Sequence, residues 1–442
     1  MRRPFSRECI RFHLVSGQRP SSALPSPGSL RSSPRVGART VGDVRPSNAL
    51  DLPLDGLTVV SVEQAVAAPF ATRQLADRGA RVIKVERPVV GDFARAYDSR
   101  AKGQSSYFVW LNRSKESLTL DLKSDFGRDV MRRLLKGADV FVQNLAPGAA
   151  PKLGLGADDL LAAHPRLIAC DISGYGSTGP YATRKAYDLL VQSEAGVLAV
   201  TGTAAQPVKA GISIADIAGG MYAFSAILMA LLRRERIGAG CSIEVSLFDA
   251  LAEWMGHPMY YTMYSGEPPA RAGDSHATIF PYGSFETGDG RRVQFGVQNE
   301  REWVRLCETV LERPDVATDP RFSSNAARSE HRDALTTIIE DAFAARSVDN
   351  VVDLLDAAGI ANARRNKVVD LIGHPQLSQR DRWRVVESPG GPIDALRVPA
   401  IMHGVDERFD PIPGVGEHTD EILRELGFDE TRIERARRDG IV

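Results

Sequence analysis

The amino-acid sequence predicts an α/β protein: a large Rossmann-like parallel-sheet domain, a smaller α+β domain, and a C-terminal part that returns to the first. Three observations carry this. Apolar, strand-like runs alternate with helical patterns from Leu57 to Ile172 across short connections, which is the texture of βαβ units. Near Thr278 the texture changes, and FETGDGRRVQFGV reads as a hairpin turning at Gly288-Asp289-Gly290. A chain of 442 residues, 43% hydrophobic and 25% charged, is also long enough for a large core and two domains.

Residues 1–50 stand apart. Up to Asn48 they are rich in Arg, Ser and Pro, with only Glu8 and Asp43 as acids. Such a composition cannot build a core, so a disordered extension is expected. Its origin stays open between an organelle transit segment and a reading frame whose true start lies near Val41 or Val44. The first implies a mitochondrial protein, the second a cytoplasmic one.

The large domain is expected over 51–246. Leu57 to Val62, Arg81 to Glu86, Val140 to Gln143, Leu167 to Ile172 and Cys241 to Val245 read as strands, aliphatic enough to be buried on both faces. Ala68–Asp77, Asp125–Leu135, Asp158–Ala163 and Ile214–Arg236 read as helices, several closed by glycine. The first strand ends in Glu63-Gln64-Ala65, so the GxGxxG dinucleotide fingerprint is absent. A helical stretch, Leu247 to Tyr264, falls within a linker at 247–272. The smaller domain follows at 273–380, with helical patterns at Glu302–Leu311, Arg328–Ala345 and Val348–Ala358. Within 381–442, Val385–Ser388 and Leu396–Val398 read as strands, and Glu417–Leu426 and Glu430–Arg438 as closing helices.

Composition removes several classes of function. Net charge is -1 with both signs interspersed, so no nucleic-acid partner is expected. Cys9, Cys170, Cys241 and Cys307 form no CxxC pair, and they read as reduced thiols, neither a disulfide frame nor a zinc site. No HxxxH or HExxH motif is present, so no metal is expected. The most apolar stretch, Ile212 to Leu232, is interrupted by Asp216, Gly219 and Gly220. It reads as a buried amphipathic helix, not as a membrane span.

The chemistry concentrates in Asp171 to Ala195. A buried strand breaks into a loop containing Gly174, Gly176, Gly179 and Pro180, and Tyr187-Asp188 then opens the helix-like Leu189-Leu190-Val191. A carboxylate at a helix N-terminus is favoured by the dipole and by free N–H groups. On that evidence Asp188 is either a cap or a nucleophile.

GYGSTGPYATRKAYD resembles the segment that bears the catalytic aspartate of the family III (formate/carnitine-type) CoA-transferases. Asp51 to Asp92, Ser106 to Lys123, Val140 to Gly156 and Ile212 to Leu232 resemble further blocks of that family, in the same order. The resemblance runs from about Leu52 nearly to the C-terminus. It implies that Asp188 attacks an acyl-CoA to give a mixed anhydride, and that the released thiolate converts this to an aspartyl-CoA thioester. An acceptor acid then reverses the steps. CoA thioesters are substrates, and no permanently bound cofactor is implied.

By the same resemblance Arg87, Lys115 and Lys152 would meet the CoA phosphates. Backbone of Asn144, Leu145 and Ala146 would line the adenine pocket, with Leu111 packing on it. Val66 lies where many relatives place Gln beside the anhydride, and Ala146 where many carry Arg. The loop Arg271–His276 would be the covering glycine loop, and the resemblance implies an interlocked homodimer. Details such as VERPxxGDFAR resemble enzymes acting on short dicarboxylic acids. Arg73, Arg184 and His276 are candidates for a second substrate carboxylate. Two other readings compete. One is an alpha-methylacyl-CoA racemase, for which Asp216 matches one acid/base but Tyr187 replaces the required His. The other is an acyl-CoA-binding regulator without turnover.

Overall fold

The computed structural model describes residues 52–442, so the expectation for residues 1–50 lies outside the described residues. Six parallel strands form the main sheet: β1 (Thr58–Val62), β2 (Arg81–Glu86), β3 (Lys115–Thr119), β4 (Val140–Gln143), β5 (Ile168–Ser173) and β6 (Cys241–Ser246). Their spatial order is β3-β2-β1-β4-β5-β6. Successive strand residues point to opposite faces, and here both faces are buried. Val59, Val82, Val142 and Cys170 pack beneath the helices Ala67–Asp77 and Ile214–Ile237. Val60, Ile83, Leu118 and Phe141 pack on the other face against Val130, Met131 and Leu134 of the helix Asp125–Lys136. The expected α/β class is therefore observed.

The helix Ile214–Ile237 is long and apolar enough, by length and composition, to cross a membrane. In this fold it is a crossover between β5 and β6 instead. Its buried residues include Ala218, Gly219, Gly220, Ala223 and Ile227. A Cβ on Gly220 would sit 2.6 Å from the Ala67 carbonyl oxygen, and one on Gly219 would sit 2.5 Å from Leu247. These glycines let three helices approach closely, which explains why they interrupt an otherwise aliphatic run.

A separate core gathers Phe285, Val293, Phe295, Trp303, Phe343 and Leu355. Its sheet joins Tyr282–Glu286, Arg292–Gly296 and Asn362–Arg364 in antiparallel fashion. The expected helical stretch from Leu247 to Tyr264 is made of two helices, Leu247–Trp254 and Gly256–Ser265. At the C-terminus, Trp383–Val386 pairs with Ile393–Leu396. Ile422, Leu423, Phe428 and Ile433 close the core under β2 and β3, so the closing helices do return to the large domain.

Candidate active site

Crossovers leave the sheet on opposite faces on either side of β1 and β4, which makes their carboxyl ends a topological switch point. The loops there are tied together. Asn144 accepts a hydrogen bond from the Gln64 amide at 2.8 Å and donates to the Gln64 carbonyl at 2.9 Å. Gln143 donates to Asp171 on β5 at 3.0 Å and accepts from the Leu145 amide at 2.7 Å. Asn144 and Leu145 are half-buried and Ala146 is exposed. Ala65 is held at φ 61, a left-handed conformation costing about 1–3 kcal/mol in a non-glycine residue. Its amide donates to both oxygens of Asp92, at 3.0 and 3.2 Å. Val66 then caps the helix Ala67–Asp77 and packs with Leu111, Phe70 and Ile217.

Beneath this loop lies a buried charge network. Lys84 is bonded to Glu63 at 3.3 Å and to Asp92 at 2.8 Å, and Lys115 to Glu63 at 2.7 Å, with all four side chains buried. Arg95 pairs with Glu86 at 2.7 Å beside them. Burial alone would raise the Glu63 pKa, but Lys115 and Lys84 outweigh it and hold the carboxyl below its usual range. Glu86, also buried, is taken down to about 2 by Arg95 and Lys84. Burial pulls Lys115 down to about 8 against the attraction of Glu63. The motif KVERPVVGD thus divides in two. Lys84, Glu86 and Asp92 face inward, while Arg87 is exposed and has no ion-pair partner among the described residues. Lys115, expected at a CoA phosphate, directs its ammonium inward to Glu63, the Pro69 carbonyl and Asn112. Lys152 is exposed at the end of the short helix Ala149–Lys152.

Asp188 is the first residue of the helix Asp188–Glu194. A Cβ on Gly174 would lie 2.1 Å from the Cβ of Ala186. The glycine therefore lets the chain fold back against the end of β5 and deliver Asp188. The carboxylate does not cap its own helix. Its Oδ1 accepts from the Ala215 amide at 2.8 Å and the Asp216 amide at 3.4 Å, both in the first turn of Ile214–Ile237. Its Oδ2 accepts from Gln192 Nε2 at 2.7 Å. One helix N-terminus and one side-chain amide thus converge on the carboxylate. Ile217, in the same first turn, packs on Val66 and joins Asp188 to the switch-point loop. Burial, then the charge of Asp188, pushes the neighbouring Asp216 carboxyl up to about 7. Burial, with Asp92 and Asp216, pushes the Tyr97 phenol up to about 12. Tyr187 is exposed.

The remaining candidates lie elsewhere in local structure. Arg73 is buried against Asp77 at 3.0 Å. Arg184 lies over the Tyr181 ring. His276 stacks on Tyr282 and accepts from the Thr278 and Ile279 amides. The loop beginning at Arg271 is pinned to 199–204 by Arg271 and by the Gly273 amide on the Gly202 carbonyl. No cluster of three or more metal-ligating side chains occurs among the described residues. Reading the sequence missed Gln192, Glu63, Lys84 and Asp92. A D-x-x-x-Q spacing on one helix face and a lone Lys inside a strand were the available signals.

A half-buried carboxylate, Asp188, follows β5 and an unpaired cationic side chain, Arg87, follows β2, on one parallel sheet whose carboxyl ends are where open α/β proteins hold ligands. Residues 54–419 match the model of CoA-transferase family III, and the chain belongs to that family. It is 34% identical to a succinate–glutarate CoA-transferase of Agrobacterium fabrum, over 85% of this chain and 96% of that one. It is 30% identical to the succinyl-CoA:glutarate CoA-transferase of Homo sapiens, over 92% and 94%. A solved CAIB/BAIF family protein from Brucella suis superposes with a TM-score of 0.77 at 35% identity, covering 85% of this chain and 99% of that one.

Proposed function

We propose that this CoA-transferase moves CoA from succinyl-CoA, or a similar donor, to a short dicarboxylic acid, through an anhydride and then a thioester on Asp188. The single observation that carries the reading is the setting of that carboxylate. It is held by two backbone amides at the N-terminus of one helix and by the Gln192 side-chain amide, and it stays within reach of solvent. Relatives named for succinate and glutarate favour the dicarboxylate class. Arg87 and Lys152, both exposed, supply the phosphate contacts. The loops at Val66 and at Asn144–Ala146 line the CoA groove. Lys115 holds that groove from below.

The test offers succinyl-CoA to a panel of short mono- and dicarboxylic acids and reads product masses. It then repeats the best pair with Asp188→Ala, and traps the wild-type intermediate with hydroxylamine. Substantial transfer by the Ala variant would overturn the assignment.

One observation favours a second reading, exchange of the proton on carbon two of an acyl-CoA: Asp216 is pushed up to about 7, a useful value for a general base. Tyr187 occupies the position an imidazole would need. Deuterium uptake at that carbon without CoA exchange would select the second reading. The homodimer also belongs to the proposal. The helix Gly256–Ser265 buries none of its residues and exposes Met259, Tyr260, Met263 and Tyr264, an apolar surface that a second copy would cover. Light scattering checks the mass.

A further inference from the structure

Resting on that reading, we infer that the two oxygens of Asp188 have separate tasks, and that Gln192 is the donor that separates them. An ionised carboxylate offers roughly four acceptor positions. On Oδ1, the amides of Ala215 and Asp216 take both. On Oδ2, Gln192 takes one, which leaves a single lone pair to attack. Oδ2 is therefore the nucleophile.

The bookkeeping of the reaction then places each donor. Oδ2 attacks the acyl carbonyl, the new O–C bond forms, and the C–S bond breaks with its electron pair leaving on the CoA thiolate. The thiolate next attacks Cγ of Asp188. An S–Cγ bond forms, the Cγ–Oδ2 bond breaks, and Oδ2 departs in the carboxylate of the donor acid. In that second step Oδ1 is the carbonyl oxygen that becomes the oxyanion, and it already rests on the amides of a 24-residue helix. Gln192 stays with the bridging oxygen and stabilises the departing carboxylate. Acceptor acid refills the Oδ2 position when the steps reverse.

Gln192 is built for this. It is 0% exposed, one helical turn after Asp188. Its Oε1 accepts from the Ala210 amide at 2.9 Å, so the amide group is fixed with Nε2 towards Asp188. Two substitutions separate catalysis from packing. Gln192→Met keeps the approximate volume and removes the donor. Gln192→Glu keeps an oxygen for Ala210 and donates to Oδ2 only while protonated. The titratable groups on the elements around it include Asp188, Glu194, Lys209, Asp216, Asp249 and Glu253, with Tyr222 and the charged end 233–236 further along the helix Ile214–Ile237. All persist in both variants, so the ratio to wild type cancels them.

The experiment measures kcat and KM for CoA exchange between succinyl-CoA and glutarate from pH 5 to 9, with circular dichroism as the folding control. Gln192→Met should lose about 10²-fold in kcat, as for one oxyanion-type donor, with KM for succinyl-CoA little changed. For Gln192→Glu the rate relative to wild type should be highest at low pH and should fall as pH rises. Met-variant turnover within threefold of wild type, or a Glu-variant ratio flat across the range, would overturn the inference. Gln192 would then be only the tether of Ala210. Absence of exchange in the wild type would instead reject the proposed function.

Discussion

Glu63→Gln is the sharpest test of the frame beneath the site. The substitution preserves shape: an amide can still accept from Lys115, and its NH2 can meet Thr72, whose hydroxyl lies 2.6 Å from Glu63. Only the charge is lost. In the native network two buried ammoniums, Lys84 and Lys115, face two buried carboxylates, Glu63 and Asp92. Without Glu63, Asp92 remains with Lys84 at 2.8 Å. Lys115 keeps only neutral acceptors, the Pro69 carbonyl and Asn112, both at 3.1 Å. Removing one partner of a buried pair costs about 3–5 kcal/mol, and urea unfolding at pH 7 should show a loss of that size. The loss should shrink as pH rises from 7 to about 8, where native Lys115 also gives up its proton, and the sign follows from linkage. Lys115 is already pulled down to about 8, and it falls further without Glu63. The unfolded chain then binds more protons than the folded one, so stability rises with pH in this window. A loss under about 1 kcal/mol, or one that grows with pH, would refute a network that depends on Glu63.

Two more expectations follow from the same geometry. Arg87→Ala should raise the KM for acyl-CoA about tenfold and leave kcat and thermal stability unchanged, because a phosphate contact remote from the reacting carbonyl is uniform binding; a pure kcat loss would place the phosphates elsewhere. Asp216 is pushed up to about 7, so between the usual carboxylate range and pH 7 the folded protein keeps a proton that the unfolded chain has released. Its contribution to stability therefore falls as pH rises through that window, and Asp216→Asn should flatten this part of a pH–Tm curve; an unchanged slope would mean that the group ionises normally.

How much of this was legible in the sequence depended on what each segment buries. β1, β2, β4 and β5 are aliphatic on both faces, so their runs announce buried parallel strands within a residue or so of the observed bounds. β3, KESLT, gave no such signal because its polar residues are satisfied mainly by distant partners. Lys115 meets Glu63, Ser117 meets Glu86, and Thr119 meets Thr419. The same long-range pairing explains Lys115 at the site. Its family block suggested a phosphate contact, whereas a buried carboxylate that is 52 positions away in sequence takes its ammonium. Asp188 was legible because a helix start after a glycine loop is a local pattern. The amides that hold it come from a different helix, 27 and 28 positions later, and no local pattern reports them.

That last fact bears on the choice between cap and nucleophile. Asp188 does cap a helix, but not its own. The N-cap of its own helix is Tyr187, and neither has a side-chain bond to that helix's first amides. The helix it serves begins after Ser213, whose side chain supplies no cap bond. A cap alone contributes about 1 kcal/mol and would be met more simply by an Asp or Asn in place of Ser213. Drawing the cap from another segment instead keeps both oxygens of the carboxylate hydrogen-bonded and leaves one face open. The helix gains its missing acceptor, and the carboxylate gains a fixed orientation before substrate arrives. On the proposed function, the capping bonds are the preorganisation that a carboxylate nucleophile requires, so a capping role does not exclude the catalytic one.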